Sequence, residues 1–257
     1  MRWHTVQMSA VVALLNQKGG VGKTTVTLGL ASALGRAGRR VLVVDLDPQA
    51  SATWVLGIDP DALAVSAADV LHRTPAAEAI VASSWGLGID VLPATTALQR
   101  REVGDPQRLR TALAEVAEHY DQVLLDCPPS LGNLTRSGLS AARHALVVAE
   151  ASALSLRGIG AVADVIDDIW DTQNPHLELA GVVVNRVPPT SGEADRRLDE
   201  LARIVGRKAV WQPVVPNRAI LNQAIGERRP IHSYGSRSAD VAAVFDALAA
   251  KLRRATR

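Results

Sequence analysis

Short apolar runs alternate with longer amphipathic stretches along this chain. Several runs are apolar at consecutive positions, which is typical of strands that helices cover on both faces. The predicted strands are residues 11–15, 41–45, 89–92, 123–126, 145–149, 181–185 and 209–211. Apolar positions at helical spacing predict helices at residues 26–37, 108–118, 156–169, 193–205 and 239–252. This alternation predicts an α/β fold, a single doubly wound, mostly parallel β-sheet flanked by helices.

The domain organisation follows from the absence of any linker-like stretch. No run rich in Pro, Gly, Ser or charge interrupts residues 10–257, so we expect one domain there. Residues 1–9 are expected to be an N-terminal extension. The sequence leaves open whether this extension is ordered and whether Met1 or Met8 is the start.

A glycine-rich loop lies between the first predicted strand and the first helix. Residues 18–25 read KGGVGKTT. Glycines let the backbone approach a ligand, and successive N–H groups at a helix N-terminus bind anions. Lys23 would reach the β- and γ-phosphates of a nucleotide, and the Thr24 hydroxyl would coordinate Mg²⁺. The common pattern G-x4-G-K-S/T is altered, because Gln17 stands where it has its first glycine and Lys18 opens the loop.

This loop resembles the deviant Walker A motif of the ParA/MinD group of P-loop ATPases. Residues 43–53, VVDLDPQASAT, are similar to the ParA strand-and-switch motif, and residues 120–130, YDQVLLDCPPS, are similar to its Walker B segment. Residues 181–186 and 215–218 resemble the two segments that bind the base. The resemblance extends from about residue 11 to residue 252 and, within the group, is nearest to the short ParA/Soj proteins that partition chromosomes and plasmids.

The resemblance implies ATP and Mg²⁺ as cofactors and hydrolysis of ATP to ADP and phosphate. Three residues would be catalytic. Lys23 would hold the phosphates, Asp47 would orient the attacking water, and Lys18 would reach the partner's nucleotide across a dimer interface, as an arginine finger does. The expected ATP-binding residues are Lys18, Gly19, Gly20, Val21, Gly22, Lys23, Thr24, Thr25, Asn185, Arg186, Pro216, Asn217 and Arg218. The expected Mg²⁺ site comprises Thr24, Asp126 and, through water, Asp45.

Charge along the chain points to an anionic partner for the C-terminal part. Residues 200–257 contain eleven Lys/Arg and four Asp/Glu, whereas residues 1–199 contain seventeen and twenty-two. The resemblance implies an ATP-dependent homodimer that binds double-stranded DNA non-specifically and a ParB-like centromere-binding protein that stimulates hydrolysis. The predicted DNA contacts are Arg218, Arg228, Arg229 and Arg237. The chain has Pro216-Asn217-Arg218 where the family often has Pro-Arg-Asn, so Arg218 is shifted by one place.

Two other functions of the same superfamily remain as alternatives. A MinD-like membrane-surface ATPase would need a C-terminal amphipathic helix, but the apolar stripe of residues 241–252 is expected to cover the sheet instead. A small-molecule ligase is possible on fold alone. Cys127 is the only cysteine, which argues against an iron–sulfur carrier. No signal peptide or spanning segment is evident, so we expect a cytoplasmic, nucleoid-associated protein with no membrane partner.

Overall fold

A computed structural model describes residues 10–101 and 104–256, without the side chains at 154, 156 and 157. The predicted extension at residues 1–9 lies outside the described residues. Within these residues seven strands form one sheet in the order β3-β4-β2-β5-β1-β6-β7. The strands are β1 Ala10–Leu15, β2 Val41–Asp45, β3 Val81–Ala82, β4 Ile89–Leu92, β5 Gln122–Asp126, β6 His144–Glu150 and β7 Glu178–Asn185. Only β3, at one edge, pairs antiparallel, so the predicted fold class is confirmed.

Helices cover both faces of the sheet. Their bounds are α1 Lys23–Arg36, α2 Ser51–Val55, α3 Ala67–Val70, α4 Ala76–Ala79, α5 Arg108–Ala114, α6 Asn133–Ala141, α7 Ala153–Thr172, α8 Gly192–Val205, α9 Ala219–Gly226 and α10 Ala239–Ala255. The described residues also form 3₁₀ segments at Pro60–Ala62, Thr96–Arg101, Ala117–His119 and Ile231–Arg237. Helices α1, α2, α9 and α10 contribute to the core on one face, while α3 to α8 contribute to the core on the other.

Helix α10 packs closely against α1. A Cβ atom added to Gly29 would lie 2.2 Å from Cε1 of Phe245, so the ring occupies the space that this glycine leaves free. Val241, Phe245, Leu248 and Leu252 are all fully buried. The predicted apolar stripe of the last helix therefore belongs to the core, as expected. No helix in the described parts of the chain combines the length and apolarity needed to cross a membrane.

One predicted strand is wrong. Residues 209–211 make only an isolated bridge, in which Val210 lies opposite Val182 of β7. Trp211 donates its N–H to the carbonyl of Val182, and the segment rejoins β7 only at Val215, whose N–H donates to Val184. Proline has no N–H to donate, and Pro213 lies between these two contacts, so the pairing along this edge stays discontinuous.

Candidate functional site

The candidate site lies at the carboxyl ends of the central strands, where open parallel sheets bind ligands. The chain leaves β1 through Asn16, which is buried. The Asn16 amide donates to the carbonyl of Val148 in β6 at 2.7 Å, and its oxygen accepts the Lys18 N–H at 2.9 Å. Asn16 thus fixes the entry of the glycine loop against the neighbouring strand.

The loop backbone is shaped for an anion. Gly20 and Gly22 have φ angles of 81° and 84°, a region that side chains disfavour. Gly22 caps α1 without any side-chain hydrogen bond. The first N–H groups of a helix have no partner within it, so those of Lys23, Thr24 and Thr25 are available to a ligand at the positive end of the helix dipole.

A hydroxyl and a carboxylate meet directly beneath this loop. Thr24 donates its hydroxyl to Oδ2 of Asp126 at 2.6 Å, and Thr27 donates to Oδ1 at 3.1 Å. Lys23 is buried beside them, and this burial lowers the pKa of its ammonium, an effect that the negative charge of Asp126 opposes. One hydroxyl, one carboxylate and one cation in this arrangement match the donor set of a nucleotide–Mg²⁺ site.

Asp45 and Asp126 stand side by side on adjacent strands and are both buried. Burial is the main cause that raises the pKa of Asp45 to about 7, and the charge of Asp126 adds to it. Burial likewise raises the pKa of Asp126 to about 6. Thr53 donates both its N–H and its hydroxyl to Oδ2 of Asp45, each at 2.8 Å. These hydrogen bonds stabilise the charged carboxylate and so act against the rise in its pKa. A cation bound at this pair would favour its charged form.

Asp47 lies just beyond the end of β2, at the entrance to α2. Its N–H donates to Asp45 Oδ1 at 3.1 Å, and its own Oδ1 accepts the N–H of Gln49 at 2.9 Å. The side chain is partly exposed, whereas Asp45 is not. The turn therefore separates the two carboxylates into a buried one and a partly exposed one.

Lys18 is held by an acidic residue that the sequence analysis did not identify. Its ammonium lies 2.9 Å from Oε2 of Glu150, and Arg186 approaches Oε1 of the same carboxylate at 3.4 Å. The Lys18 side chain is 36% exposed and that of Glu150 is 20% exposed. Glu150 ends β6, and an acidic residue at the end of an apolar strand is the same signal that identified Asp126.

The predicted base-binding segments adjoin the loop. Asn185 is 1% exposed and donates its amide to the carbonyl of Val21 at 2.8 Å. Its Oδ1 is buried and has no hydrogen-bond partner in the described residues. Pro216 and Asn217 lie against Val187, whose carbonyl accepts the Asn217 N–H at 2.8 Å. An orphaned buried acceptor next to a phosphate loop is suited to an amino group on a ligand.

The four arginines predicted to contact DNA have different surroundings. Arg218 pairs with Asp240 at 3.1 Å, and Arg228 lies over the ring of Trp54 at 5.1 Å. Two others share one aromatic ring, that of Tyr234, at 5.1 Å for Arg229 and 5.8 Å for Arg237. The structure thus brings Arg229 and Arg237 together on one exposed surface and places Arg218 and Arg228 in other contacts.

Comparison with known proteins agrees with this geometry. The sequence model of a family described as AAA domain matches residues 9–179. The Bacillus subtilis sporulation initiation inhibitor protein Soj is 31% identical over 92% of this chain and 93% of its own length. The Thermus thermophilus chromosome-partitioning ATPase Soj is 38% identical over 83% of both chains. A Mycobacterium smegmatis structure, cobyrinic acid a,c-diamide synthase with bound ADP and magnesium, superposes with a TM-score of 0.83 at 33% identity, covering 96% and 95% of the two chains.

Proposed function

Because the chain belongs to the ParA/Soj family of P-loop ATPases, we propose that it is a Mg²⁺-dependent ATPase that partitions DNA. It forms a sandwich dimer with ATP and binds double-stranded DNA non-specifically on the nucleoid. A ParB-like centromere-binding partner then stimulates hydrolysis and releases it. The cargo is a chromosome, a plasmid or another large assembly.

The observation that carries this proposal is the Thr24–Asp126 pair beneath a loop with two glycines at positive φ. Bound Mg²⁺ would neutralise phosphate charge and polarise the phosphoryl group. Thr24 and Asp126 would hold the ion, Thr24 through its hydroxyl and Asp126 through its carboxylate. Lys23 and the α1 amides hold the phosphates, while Asp47 orients the water that attacks.

Base recognition is assigned to Asn185. Its Oδ1 has no hydrogen-bond partner in the part of the chain that the structure describes, and adenine offers an exocyclic amino group as donor. Guanine would place a carbonyl oxygen there, so two acceptors would face each other. The backbone at Pro216 and Asn217 closes the other side of this subsite.

Dimerisation is assigned to Lys18. It opens the loop, a third of its side chain is accessible, and among the described residues its ammonium pairs with Glu150. A lysine in this position can exchange a carboxylate of its own chain for the phosphates of a partner's nucleotide. ATP then becomes part of the interface, which couples nucleotide binding to association.

The DNA surface is assigned to Arg229 and Arg237 around Tyr234. Non-specific DNA binding consists mainly of phosphate neutralisation, and a dimer presents this surface twice. The excess of basic residues beyond position 200 supports the same assignment.

Sedimentation of Lys18→Ala tests the dimer. We expect the variant to bind ATP yet remain monomeric at concentrations where the wild type with ATP sediments as a dimer. Its ATP turnover should fall at least tenfold because the site depends on the trans lysine. Lys208→Ala, an exposed lysine outside the loop, serves as the control and should dimerise normally. A Lys18→Ala dimer with normal turnover would contradict the assignment.

A ligase remains as the second candidate, because a solved relative at 33% identity is a diamide synthase. ATP turnover that requires a carboxylic acid substrate and does not respond to DNA would favour it. The membrane-surface function has less support, since the apolar face of α10 is occupied by the core.

A further inference from the structure

The segment that follows the buried carboxylate Asp45 is tied to it by three hydrogen bonds. Two come from Thr53 of α2 and the third is the N–H of Asp47. Thr53 is itself fixed, since its hydroxyl accepts the N–H of Ala94 at 2.8 Å. The position of α2 therefore follows the geometry of the candidate Mg²⁺ site, because Asp45 stands beside Asp126.

Trp54, the residue of α2 after Thr53, connects this segment to Arg228, which is far away in the sequence. The carbonyl of Trp54 accepts a hydrogen bond from Nε of Arg228 at 2.7 Å. The guanidinium of Arg228 also lies over the Trp54 ring, 5.1 Å from its centre. Trp54 is 42% exposed. These two contacts use both the charge and the planar geometry of arginine, which lysine does not reproduce.

Arg228 is held in an unfavourable backbone conformation. Its φ angle is 56°, in the left-handed region, and its carbonyl accepts the indole N–H of Trp85 at 2.9 Å. Such a conformation persists only where surrounding contacts fix it, and it is often found at switch regions. The contacts that fix it here include the pair with Trp54.

The basic surface begins at the very next residue. Arg229 lies over Tyr234, which Arg237 also approaches. The Tyr234 hydroxyl donates to Glu227 at 2.7 Å, and Arg237 donates to Gln223 at 2.8 Å. A displacement of α2 that moved Trp54 would move Arg228 and so change the backbone from which Arg229 projects.

We propose that Trp54 and Arg228 form a coupling contact, through which the nucleotide state at the Asp45 segment sets the DNA affinity of the surface around Tyr234. Arg228 then acts on DNA through its neighbours and not by binding a phosphate itself. This inference rests on the proposed function, because it presupposes DNA binding that depends on ATP. Coupling between two sites is reciprocal, so DNA must also tighten ATP binding by the same factor.

The test compares Trp54→Leu and Arg228→Lys with the wild type. DNA affinity is measured with ADP and with ATP, and ATP affinity is measured with and without DNA. The quantity of interest is the ratio of the DNA affinity with ATP to the DNA affinity with ADP. We expect both variants to lower this ratio about fivefold or more, and to lower the reciprocal effect of DNA on ATP equally. DNA affinity with ADP should stay within about twofold, and the ATP dimer should still form in sedimentation.

Trp170→Leu is the matched control, because Trp170 is also a half-exposed tryptophan on a helix. It should leave the ratio unchanged. If Trp54→Leu and Arg228→Lys lower DNA affinity equally with ADP and ATP, or abolish the dimer, the contact has another role and the inference is overturned. If both variants keep the wild-type ratio, it is also overturned. If the wild type shows no difference between ADP and ATP, the proposed function itself fails, which separates the two claims.

Discussion

Gly22 and Asn185 restrict each other at the first turn of α1. A Cβ atom at Gly22 would lie 2.2 Å from Nδ2 of Asn185, and the φ angle of 84° disfavours any other residue. The glycine thus allows the asparagine to reach the loop carbonyl of Val21. Loop shape and the proposed base recognition therefore involve the same pair of residues.

Replacement of Asn185 should weaken base selectivity. In Asn185→Ala the acceptor that faces the base is lost, so we expect the preference for ATP over GTP to fall about tenfold. The loss of the hydrogen bond to Val21 should weaken the binding of ATP and GTP equally, so it cancels in the ratio of the two affinities. The preference is measured by competition of ATP and of GTP against a fluorescent ATP analogue. Asn222→Ala, on the exposed side of α9, should keep the wild-type ratio, and an unchanged ratio in Asn185→Ala would contradict base recognition by this residue.

If Lys18 contacts a partner's nucleotide as proposed, it must first break its ion pair with Glu150. Removal of the negative charge in Glu150→Gln should strengthen the ATP dimer by up to about thirtyfold, because each of the two protomers gives up a partly exposed ion pair that contributes ~1 kcal/mol or less. The dimer dissociation constant from sedimentation at several protein concentrations measures this. Glu193→Gln, on the exposed face of α8, controls for net charge. A weaker Glu150→Gln dimer would mean that the carboxylate orients Lys18 and does not withhold it.

At the scale of elements, the carboxyl ends of β1, β2, β5, β6 and β7 bring together residues far apart in the chain. The sequence predicts the five strands well, because continuous apolar runs are distinctive. It also predicts Lys23, Thr24 and Asp126 as neighbours, since the ends of parallel strands share one edge of the sheet. Glu150 was missed as the partner of Lys18, because a contact across 132 residues depends on packing that local pattern does not encode.

Helix α2 and two residues with positive φ angles also could not be predicted from local sequence. Helix α2 has only five residues and is too short for a helical period to be recognised. Ala50 precedes it with a φ angle of 53°, and Arg228 has one of 56°. Neither residue is glycine or asparagine, so the residue type does not predict a left-handed conformation. Tertiary contacts hold both residues in it.

Helices α1 and α10 are connected by a histidine in the 3₁₀ segment Ile231–Arg237. Nδ1 of His232 lies 2.6 Å from the hydroxyl of Ser32, and Nε2 lies 3.2 Å from Asp246. Burial lowers the pKa of His232, and Arg36 lowers it further, while Asp246 acts in the opposite direction. The folded protein therefore keeps this imidazole neutral to lower pH than the unfolded chain does.

The stability should consequently depend on pH. Below the ordinary histidine pKa of about 6.5, the unfolded chain binds a proton that the folded chain resists, so His232 lowers the free energy of unfolding as pH decreases. Asp45 and Asp126, whose pKa values are raised by burial, act in the opposite direction, and burial lowers the pKa of His144 as well. These contributions are common to all variants, so His232 is tested by a difference: in urea midpoints between pH 7.5 and 5.5, the stability of His232→Gln relative to the wild type should rise as pH decreases. His72→Gln, at an exposed position, should keep a constant difference from the wild type, and a constant difference in His232→Gln would refute the assignment to His232.

For the whole molecule, the two proposed functional regions lie at opposite ends of one chain of contacts. We propose that the phosphate loop and the Asp45 segment respond to nucleotide and that the C-terminal arginines provide the positive surface. The sequence indicates both regions through motif and charge, but the connection between them through Trp54 and Arg228, 174 residues apart, is visible only in the fold. In this proposal, ATP changes how the molecule binds DNA.

The most direct measurement is the binding of random-sequence duplex DNA without nucleotide, with ADP and with ATP, at about 50 mM and about 200 mM salt. We expect strong binding only with ATP, a steep loss at the higher salt, and no ATP effect in Lys18→Ala. Equal binding in all three nucleotide states, or no binding while the ATP dimer still forms, would contradict this proposal. In the latter case anionic vesicles would be the next ligand to test.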